Sequence, residues 1–411
     1  MKILLLHNFY RSDSPSGENQ VFEMERALLQ KHGHDVLLFT RHSDELIAQG
    51  ALGKIKGAVS VPWNPFSARA LRQTIREFQP DVIHAHNTFP LLSPAVFPAA
   101  RGTARILTLH NYRLFCAAAI PMRDGQICTE CLDQHSVQPA LRHNCYRGSK
   151  AATVPLAANI ALHRFRGTWE RDVEAFIALS EFQREKFVAA GLPADRVEVK
   201  PNFYAGNPKV VPWNERAERV VFVGRLSAEK GVHTLLQAWS LWGEQAPPLR
   251  IVGDGELRRN LEEQARGLPV EFTGQVSPEQ AQAEIAQSRL VVLPSEWFEG
   301  FPMVLREAFA FGTPSAVSNI GPLPGLIRDP ESGCTFEPAN PESLLHAVRN
   351  AWENPEQLQR WGQGARAAFE AKYTEDANYE MLMAIYEQAI ERATNVLRGS
   401  IFVPHSFSRR P

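Results

Sequence analysis

The chain has 411 residues, 44% of them hydrophobic and 22% charged, with 44 Lys and Arg against 45 Asp and Glu. That is the composition of a folded globular protein and more chain than one ordinary core takes, so two domains are expected. A net charge of −1 gives no overall bias towards nucleic acid, and no run reaches the roughly 18 apolar residues of a membrane span.

The opening Met1-Lys2-Ile3-Leu4-Leu5-Leu6 has the look of an export signal, but the apolar run stops at His7 and polar residues follow. It reads as a first strand, which makes the cytoplasm the default compartment. The loop Ser14-Pro15-Ser16-Gly17-Glu18 leads into a helical pattern on Val21, Met24, Leu28 and Leu29. Strand signals recur at Val36 to Phe39, Val82 to His84, Ile106 to Leu109, Ala175 to Leu179 and Val197 to Val199, with helical stretches between most of them. That alternation predicts a doubly wound parallel sheet, and residues 1–200 are read as the first domain, with an insertion over 112–150.

A second alternation follows Lys200-Pro201-Asn202-Phe203, with strands expected at Arg219 to Val223, Leu249 to Val252, Val270 to Phe272, Leu290 to Leu293 and Ser315 to Val317. Residues 201–375 are therefore a second α/β domain, and two such Rossmann-like units face a central cleft. Residues 341 to 395 read as helices, the last over 376–395 on Tyr379, Leu382, Ile385, Tyr386 and Ile390. From 396 to 411, Arg398, Arg409, Arg410, Pro404 and Pro411 suggest a loosely held tail.

The stretch Ser295-Glu296-Trp297-Phe298-Glu299-Gly300-Phe301-Pro302-Met303-Val304-Leu305-Arg306-Glu307-Ala308 follows the run Leu290 to Leu293, a buried strand stopped by Pro294. A helix is expected from about Pro302, leaving Glu299 in the loop and Glu307 about a turn inside the helix. Open parallel sheets bind ligands at the carboxyl ends of their strands, where a helix N-terminus adds free N–H groups. Two carboxylates placed there can accept hydrogen bonds from the hydroxyls of a polyol. Phe222-Val223-Gly224-Arg225-Leu226-Ser227-Ala228-Glu229-Lys230-Gly231 likewise leaves a strand and enters a helix, putting Arg225 and Lys230 towards the cleft. Ile251 to Glu256, with Gly253, is another strand-to-helix glycine loop, and His110 ends the strand Ile106 to Leu109.

Glu299 and Glu307, with seven residues between them in E-G-F-P-M-V-L-R-E-A, resemble the Glu-x7-Glu motif of retaining glycosyltransferases of family 4, built on the GT-B fold. The resemblance covers nearly the whole chain and is most specific from Phe222 to Glu337. It implies that Glu307 binds the ribose hydroxyls of a nucleotide-diphosphate sugar and Glu299 the sugar hydroxyls. Backbone N–H groups around Phe301, Met303 and Val304 are implied to hold the sugar or phosphates, and Arg225 and Lys230 the diphosphate, whose charge grows as its bond to the sugar breaks. Gly253 and Val276 fall in donor-side segments, the latter beside the nucleobase, and His110 near the reacting centre of the sugar. The family's first loop usually has two adjacent glycines that approach the phosphates. Here there is only Gly17, which leaves a phosphate contact and a simple turn both open. The family's last helix crosses back onto the first domain.

Four of five cysteines fall between Cys116 and Cys145, with Cys128-Thr129-Glu130-Cys131 a C-x2-C pair. Cys116, Cys128, Cys131 and Cys145 match the count and softness of a structural zinc site, free buried thiols and disulfides being the alternatives. After this insertion Arg142, Arg147, Lys150, Arg164, Arg166 and Arg171 surround the apolar stretch Val154 to Leu162. Such a segment suits peripheral contact with the inner face of an anionic membrane; the other reading is a helix packed on the sheet with a solvated basic edge.

The function implied is a retaining transferase moving a sugar from a UDP- or GDP-sugar to a glycan, lipid-linked or small-molecule acceptor, in cell-surface polysaccharide synthesis. Same-face attack, with the departing phosphate taking the acceptor proton, requires no protein nucleophile, and the cations and helix N-terminus replace a catalytic metal. The alternatives are a non-hydrolysing nucleotide-sugar epimerase using the same cleft and a silent sugar-nucleotide binding module. No nucleic-acid partner and no particular oligomeric state are implied.

Overall fold

The computed structural model describes residues 1–10, 16–327 and 331–401; Ser14 and Pro15 of the first loop and residues 402–411 of the expected tail lie outside them. The first half holds strands β1 (Lys2–Phe9), β2 (Asp35–His42), β3 (Val82–Asn87), β4 (Ala104–Thr108), the small hairpin β5 (Met122–Arg123) and β6 (Gln126–Ile127), then β7 (Ala175–Ala178) and β8 (Val197–Val199). The second half holds β9 (Ala217–Val223), β10 (Leu249–Val252), β11 (Val270–Gly274), β12 (Ser288–Leu293), β13 (Ser315–Ser318) and β14 (Gly333–Phe336). Two six-stranded sheets result, in the orders β2-β1-β3-β4-β7-β8 and β11-β10-β9-β12-β13-β14, with every pair in both parallel.

Parallel sheets need helices on both faces, and the burial shows it: every residue of β3, β4, β7 and β13 is buried. Such strands cannot show the polar alternation of a half-wet sheet, which is why they appear in the sequence as short continuous apolar runs. The hairpin and β14 give no such signal. The hairpin strands have two residues each, and Gly333-Cys334-Thr335-Phe336 lacks an aliphatic run.

The last helix runs Glu375–Ile401, past the expected end at residue 395, because helix-compatible residues continue and no proline intervenes before Pro404. It packs against β4 and β7 of the first sheet, although the chain enters it from the second half. Leu382, Ile385, Tyr386 and Ala389 are buried there in one cluster with Ile3, Leu5, Ile106 and Ile177. Leu382 is fully enclosed, so Leu382→Ala leaves both lost apolar area and a cavity. It is expected to cost about 3 kcal/mol of unfolding free energy, read by urea titration. A loss under about 1 kcal/mol would mean that this helix is not a lid on the first sheet's core.

Candidate active site

In the second sheet the strand order reverses between β9 and β12, and the carboxyl ends of those two strands open the crevice where doubly wound sheets bind ligands. The loop after β9 carries Arg225 and Lys230; the loop after β12 carries Glu299. They are stitched together. Glu296 N donates to Glu229 O at 2.9 Å, and the Thr234 hydroxyl donates to Glu296 Oε1 at 2.6 Å. Gly231 lies between, at φ +64°, where an added Cβ would stand 1.9 Å from Pro294 O. Only glycine permits that approach.

Lys230 Nζ is consequently 2.7 Å from Glu299 Oε1, which also accepts from Ser295 Oγ at 2.8 Å and Trp297 Nε1 at 3.0 Å. All three donors converge on one oxygen of a buried carboxylate. Arg225 is exposed, and among the described residues no carboxylate pairs with it. The helix Met303–Phe311 starts with Pro302 as its N-cap, one residue earlier than the first-turn position expected. Its first turn leaves the N–H groups of Met303 and Val304 without intrahelical acceptors. Glu307 sits in the second turn, where Oε1 accepts from Arg306 Nη2 at 3.1 Å and Gln282 Nε2 at 3.5 Å. Burial pushes its carboxyl pKa up, against the pull of Arg306. Among the described residues no hydrogen bond engages Oε2 of either Glu299 or Glu307.

Gly253 is at φ +132°, and an added Cβ would stand 2.0 Å from Gly224 O, so this glycine lets two strand-end turns press together. Val276 is half-buried against the apolar cluster holding Leu305 and Phe309. The Phe301 ring is in that core too, 5.2 Å from the Tyr373 ring, which leaves only its backbone for a ligand. The two halves meet at these elements. Gly17 opens the helix Gly17–Lys31 against Met303, Asn202 Nδ2 donates to Met303 Sδ at 3.8 Å, and Gly300 lies beside the His110 carbonyl.

The first sheet reverses its order between β1 and β3, and here the structure brings together histidines that strand alternation alone does not assign. His84 and His86 are buried against Glu25 and His7 is buried edge-on to His86, with His110 half-buried two residues past the end of β4. Burial lowers His84 to about 4 and His7 to about 3, and holds His110 well below the ordinary imidazole range. His86, His110, Asn87, Arg113 and Asn159 share the wall of one pocket opening beside the strand ends.

Cys116, Cys128, Cys131 and Cys145 line another single pocket, all as free thiols, yet no three of their sulfurs lie within 4.8 Å of one another. A tetrahedral zinc–thiolate site has sulfurs about 3.8 Å apart, so the expected zinc set is present in number but not closed. Burial raises Cys116 to about 12 and Cys131 to about 11, favouring protonated thiols. The stretch Val154 to Leu162 lies in the helix Lys150–Phe165 with Leu156, Ala157 and Ile160 turned inwards, while Ala151, Val154, Ala158, Ala161 and Phe165 are exposed along its outer face. A second exposed apolar stripe is on the helix Gly50–Ser60, at Leu52, Ile55 and Val59.

Sequence reasoning misses Ser295 and Trp297, whose part is visible only once the loop folds over Glu299. It also misses Arg306, which is buried, donates to Phe203 O at 2.7 Å and reaches Met24 of the first half. Glu18, accepting from Asn111 at 2.6 Å, and Glu25 have the sequence signature of ordinary polar positions on an amphipathic helix.

Residues 17–204 match the family described as Glycosyltransferase Family 4, and residues 206–368 the family described as Glycosyl transferases group 1. A GDP-mannose-dependent α-(1-6)-phosphatidylinositol dimannoside mannosyltransferase of Mycobacterium tuberculosis is 24% identical over 380 residues, 88% of this chain and 90% of that protein. The O-antigen chain mannosyltransferase C of Escherichia coli is 32% identical over 190 residues, 44% of this chain and half of that protein's length. Among solved structures, sucrose-phosphate synthase of Thermosynechococcus elongatus superposes with a TM-score of 0.67 at 16% identity, covering 95% of this chain and 99% of that one. Anabaena HepE in complex with UDP gives 0.60 at 20% identity, covering 96% and 100%.

The stitch at Gly231 makes a direct test of the site's construction. Gly231→Ala forces Cβ into the Pro294 carbonyl at a positive φ, and a loss of about 2 to 4 kcal/mol in stability is expected, measured by chemical denaturation. Unchanged stability would show that the two loops are not held in this contact.

Proposed function

The chain belongs to the family 4-like glycosyltransferases of the GT-B fold, and from that premise we propose that it is a retaining transferase taking its sugar from a UDP- or GDP-sugar. The observation that carries the donor reading is the matched pair of carboxylates. Glu299 and Glu307 each have Oε1 held by protein donors and Oε2 left without one, the arrangement expected of acceptors aimed at ligand hydroxyls. Glu307 takes the ribose hydroxyls and Glu299 the sugar hydroxyls. The N–H groups around Phe301, Met303 and Val304 hold the sugar or phosphates at the helix N-terminus. The Val276 segment flanks the base, while Gly253 and Gly17 keep backbone close to the donor.

In the proposed step the bond from the anomeric carbon to the diphosphate breaks and a bond to the acceptor oxygen forms on the same face. The departing phosphate oxygen takes the acceptor proton, so configuration is retained without a protein nucleophile. Arg225, Lys230 and the helix N-terminus offset the developing negative charge, the role a divalent ion has in other transferases. His110 faces the sugar from the first half, next to the pocket proposed for a glycan, lipid-linked or small-molecule acceptor of cell-surface polysaccharide synthesis. Relatives named as O-antigen and phosphatidylinositol mannoside transferases support that acceptor class. A structural zinc on the four thiols would need their pocket to contract, and the chemistry above does not depend on it.

Thermal-shift titration with UDP, GDP and their sugars tests the donor site. Selective stabilisation by one base is expected, approaching about 2.7 kcal/mol at 100 times Kd, and Glu307→Ala should abolish most of it when read against that variant's own ligand-free melting temperature, which falls because buried Arg306 loses its partner. Equal shifts for both proteins would remove Glu307 from the site, and sugar release without an acceptor would point to epimerase-like chemistry.

We also propose a cytoplasmic protein in peripheral contact with the inner membrane face, through Leu52, Ile55 and Val59, which are 74%, 63% and 69% exposed, with the exposed Lys56 alongside. Among the described residues no helix is long and apolar enough to cross a membrane. The protein should float with liposomes containing anionic lipid and lose that flotation in Leu52→Ser/Ile55→Ser. Flotation independent of both lipid charge and these residues would overturn the contact.

A further inference from the structure

Beneath the first sheet's switch point runs a chain of hydrogen bonds that the transfer reaction above does not use. Lys200 Nζ lies 3.0 Å from Glu25 Oε2 and 3.1 Å from Asn378 Oδ1. Glu25 Oε1 lies 3.0 Å from His86 Nε2, and His86 Nδ1 lies 3.1 Å from His110 Nε2. Glu25, His86, Lys200 and Asn378 are all buried, at 1%, 3%, 2% and 0% exposure, whereas His110 is half-buried and lines the pocket. The chain thus starts at a fixed ion pair and ends at a ring that faces the pocket.

The proton order along it follows from donor and acceptor chemistry. Burial acts to raise the Glu25 carboxyl, but the Lys200 ammonium above all outweighs it and keeps it well below its ordinary value, so it is an anion and can only accept. His86 must then place its proton on Nε2. Lys200 already balances the one charge of Glu25, so a further cation buried here would be uncompensated; with a single proton His86 has a bare Nδ1, and the proton between the two rings belongs to His110 Nε2. His110 is held neutral and carries one proton, which leaves Nδ1 as a lone pair on the side of the ring not engaged by His86.

The other groups packed round the chain agree with this order. His84, next to His86 on the same face of β3, has Nε2 at 2.8 Å from Thr108 Oγ1, and its Nδ1 faces both the Tyr386 hydroxyl at 2.9 Å and Glu25 Oε1 at 3.0 Å. His7 of β1 is bonded to Asn19 at 2.8 Å and meets His86 edge to face. Glu18, the remaining nearby acid, is engaged by Asn111 and raised by burial. A divalent ion held by Glu25, His84 and His86, whose ligand atoms lie within 4.8 Å of one another, would have to displace these bonds and sit beside the Lys200 ammonium.

We infer that Glu25 and His86 are positioning residues that pin His110 in its Nε2–H tautomer, so that Nδ1 accepts a hydrogen bond from a hydroxyl of the reacting sugar. This deepens the reading of His110 as a donor-sugar contact and rests on it. No covalent bond changes in the step; the network decides which ring atom accepts. With the opposite tautomer His110 would present N–H to the same hydroxyl, and that hydroxyl would have to turn its proton away.

The test is tautomer assignment in uniformly 15N-histidine-labelled protein by long-range 1H–15N correlation, with His110 identified by the signal missing in His110→Gln. Wild type is expected in the Nε2–H form alone, and an Nδ1–H form would overturn the inference. Glu25→Gln/Lys200→Met removes both charges together and lets an amide N–H face His86 Nε2, so a share of Nδ1–H His110 should appear. In that variant kcat should fall at least tenfold with donor KM within about threefold. An unchanged His110 spectrum there would overturn the inference. If the double variant does not fold, His86→Phe keeps a ring in place and removes the acceptor of the His110 proton; a tautomer still pinned in it would overturn the inference equally. Shifts of His84 and His86 on adding zinc would replace the hydrogen-bonded chain with a metal site. His110→Ala with full activity would sink the donor-contact reading, while the spectra would still report the tautomer.

Discussion

The Glu25 to Lys200 ion pair ties both points where the chain passes between the halves, at Lys200 and at the start of the last helix, to the first half, and the rest of the structure depends on it. Its members come from the first helix of the first half and from the segment that follows β8, and Asn378 of the last helix completes the shell of Lys200 while donating to Pro201 O at 2.7 Å. Both charges are buried, so either one alone would be an uncompensated charge in a low-dielectric place, at a cost of about 3 to 5 kcal/mol. Hydrophobic packing alone tolerates sliding. A buried, hydrogen-bonded ion pair does not, so it fixes the register of three chain segments that are far apart in sequence.

Given that register, the Glu299 side and the His110 side come face to face through small contacts. Gly300 stands beside the His110 carbonyl and Gly17 beside Met303, while Arg306 reaches from the donor helix to Met24 and to the carbonyl of Phe203. Glycines stand at these approaches, where an added Cβ would come to 3.4 Å from Met303 and from the His110 carbonyl, a contact with no room to spare for a longer side chain. The largest group at the junction is Arg306, whose guanidinium is spent on protein partners and whose charge is balanced by Glu307. It orients that carboxylate and is not a free cation for a ligand.

Both sheets are legible in the sequence because parallel strands with two covered faces must be apolar throughout, and a short run such as Leu290 to Leu293, closed by a proline, fits little else than a buried strand. The pair Glu299 and Glu307 is legible through its place after such a strand, and Arg225 and Lys230 through theirs. The Glu25 to His110 chain is not, for a physical reason: its members lie on β3, β4, two helices and a connecting segment, and their relation exists only after the sheet has set the strand order. His84 and His86 share a face by strand parity, but parity says nothing about which helix supplies the carboxylate above them. The thiols fail in the opposite sense. Their spacing in the chain suggests convergence, and the folded pocket gathers the residues while leaving the sulfurs apart.

Lys230 and Arg225 differ in a way that separates their parts in the proposed transfer. Lys230 is already placed: its Nζ is tied to Glu299 Oε1 and stands 5.2 Å over the Trp297 ring, in a partly dry setting where a charge interacts more strongly than in water. Two of its three N–H donors are not taken by Glu299, and they need no reorganisation when charge develops on the diphosphate. Arg225 is solvated and exposed, so it must give up hydration and side-chain freedom to make the same contact. A pre-placed donor lowers a barrier by more than one that is ordered on the way to it. Lys230 is therefore the cation whose geometry suits the bond-breaking step, and Arg225 the one whose exposure suits first capture of the anionic donor.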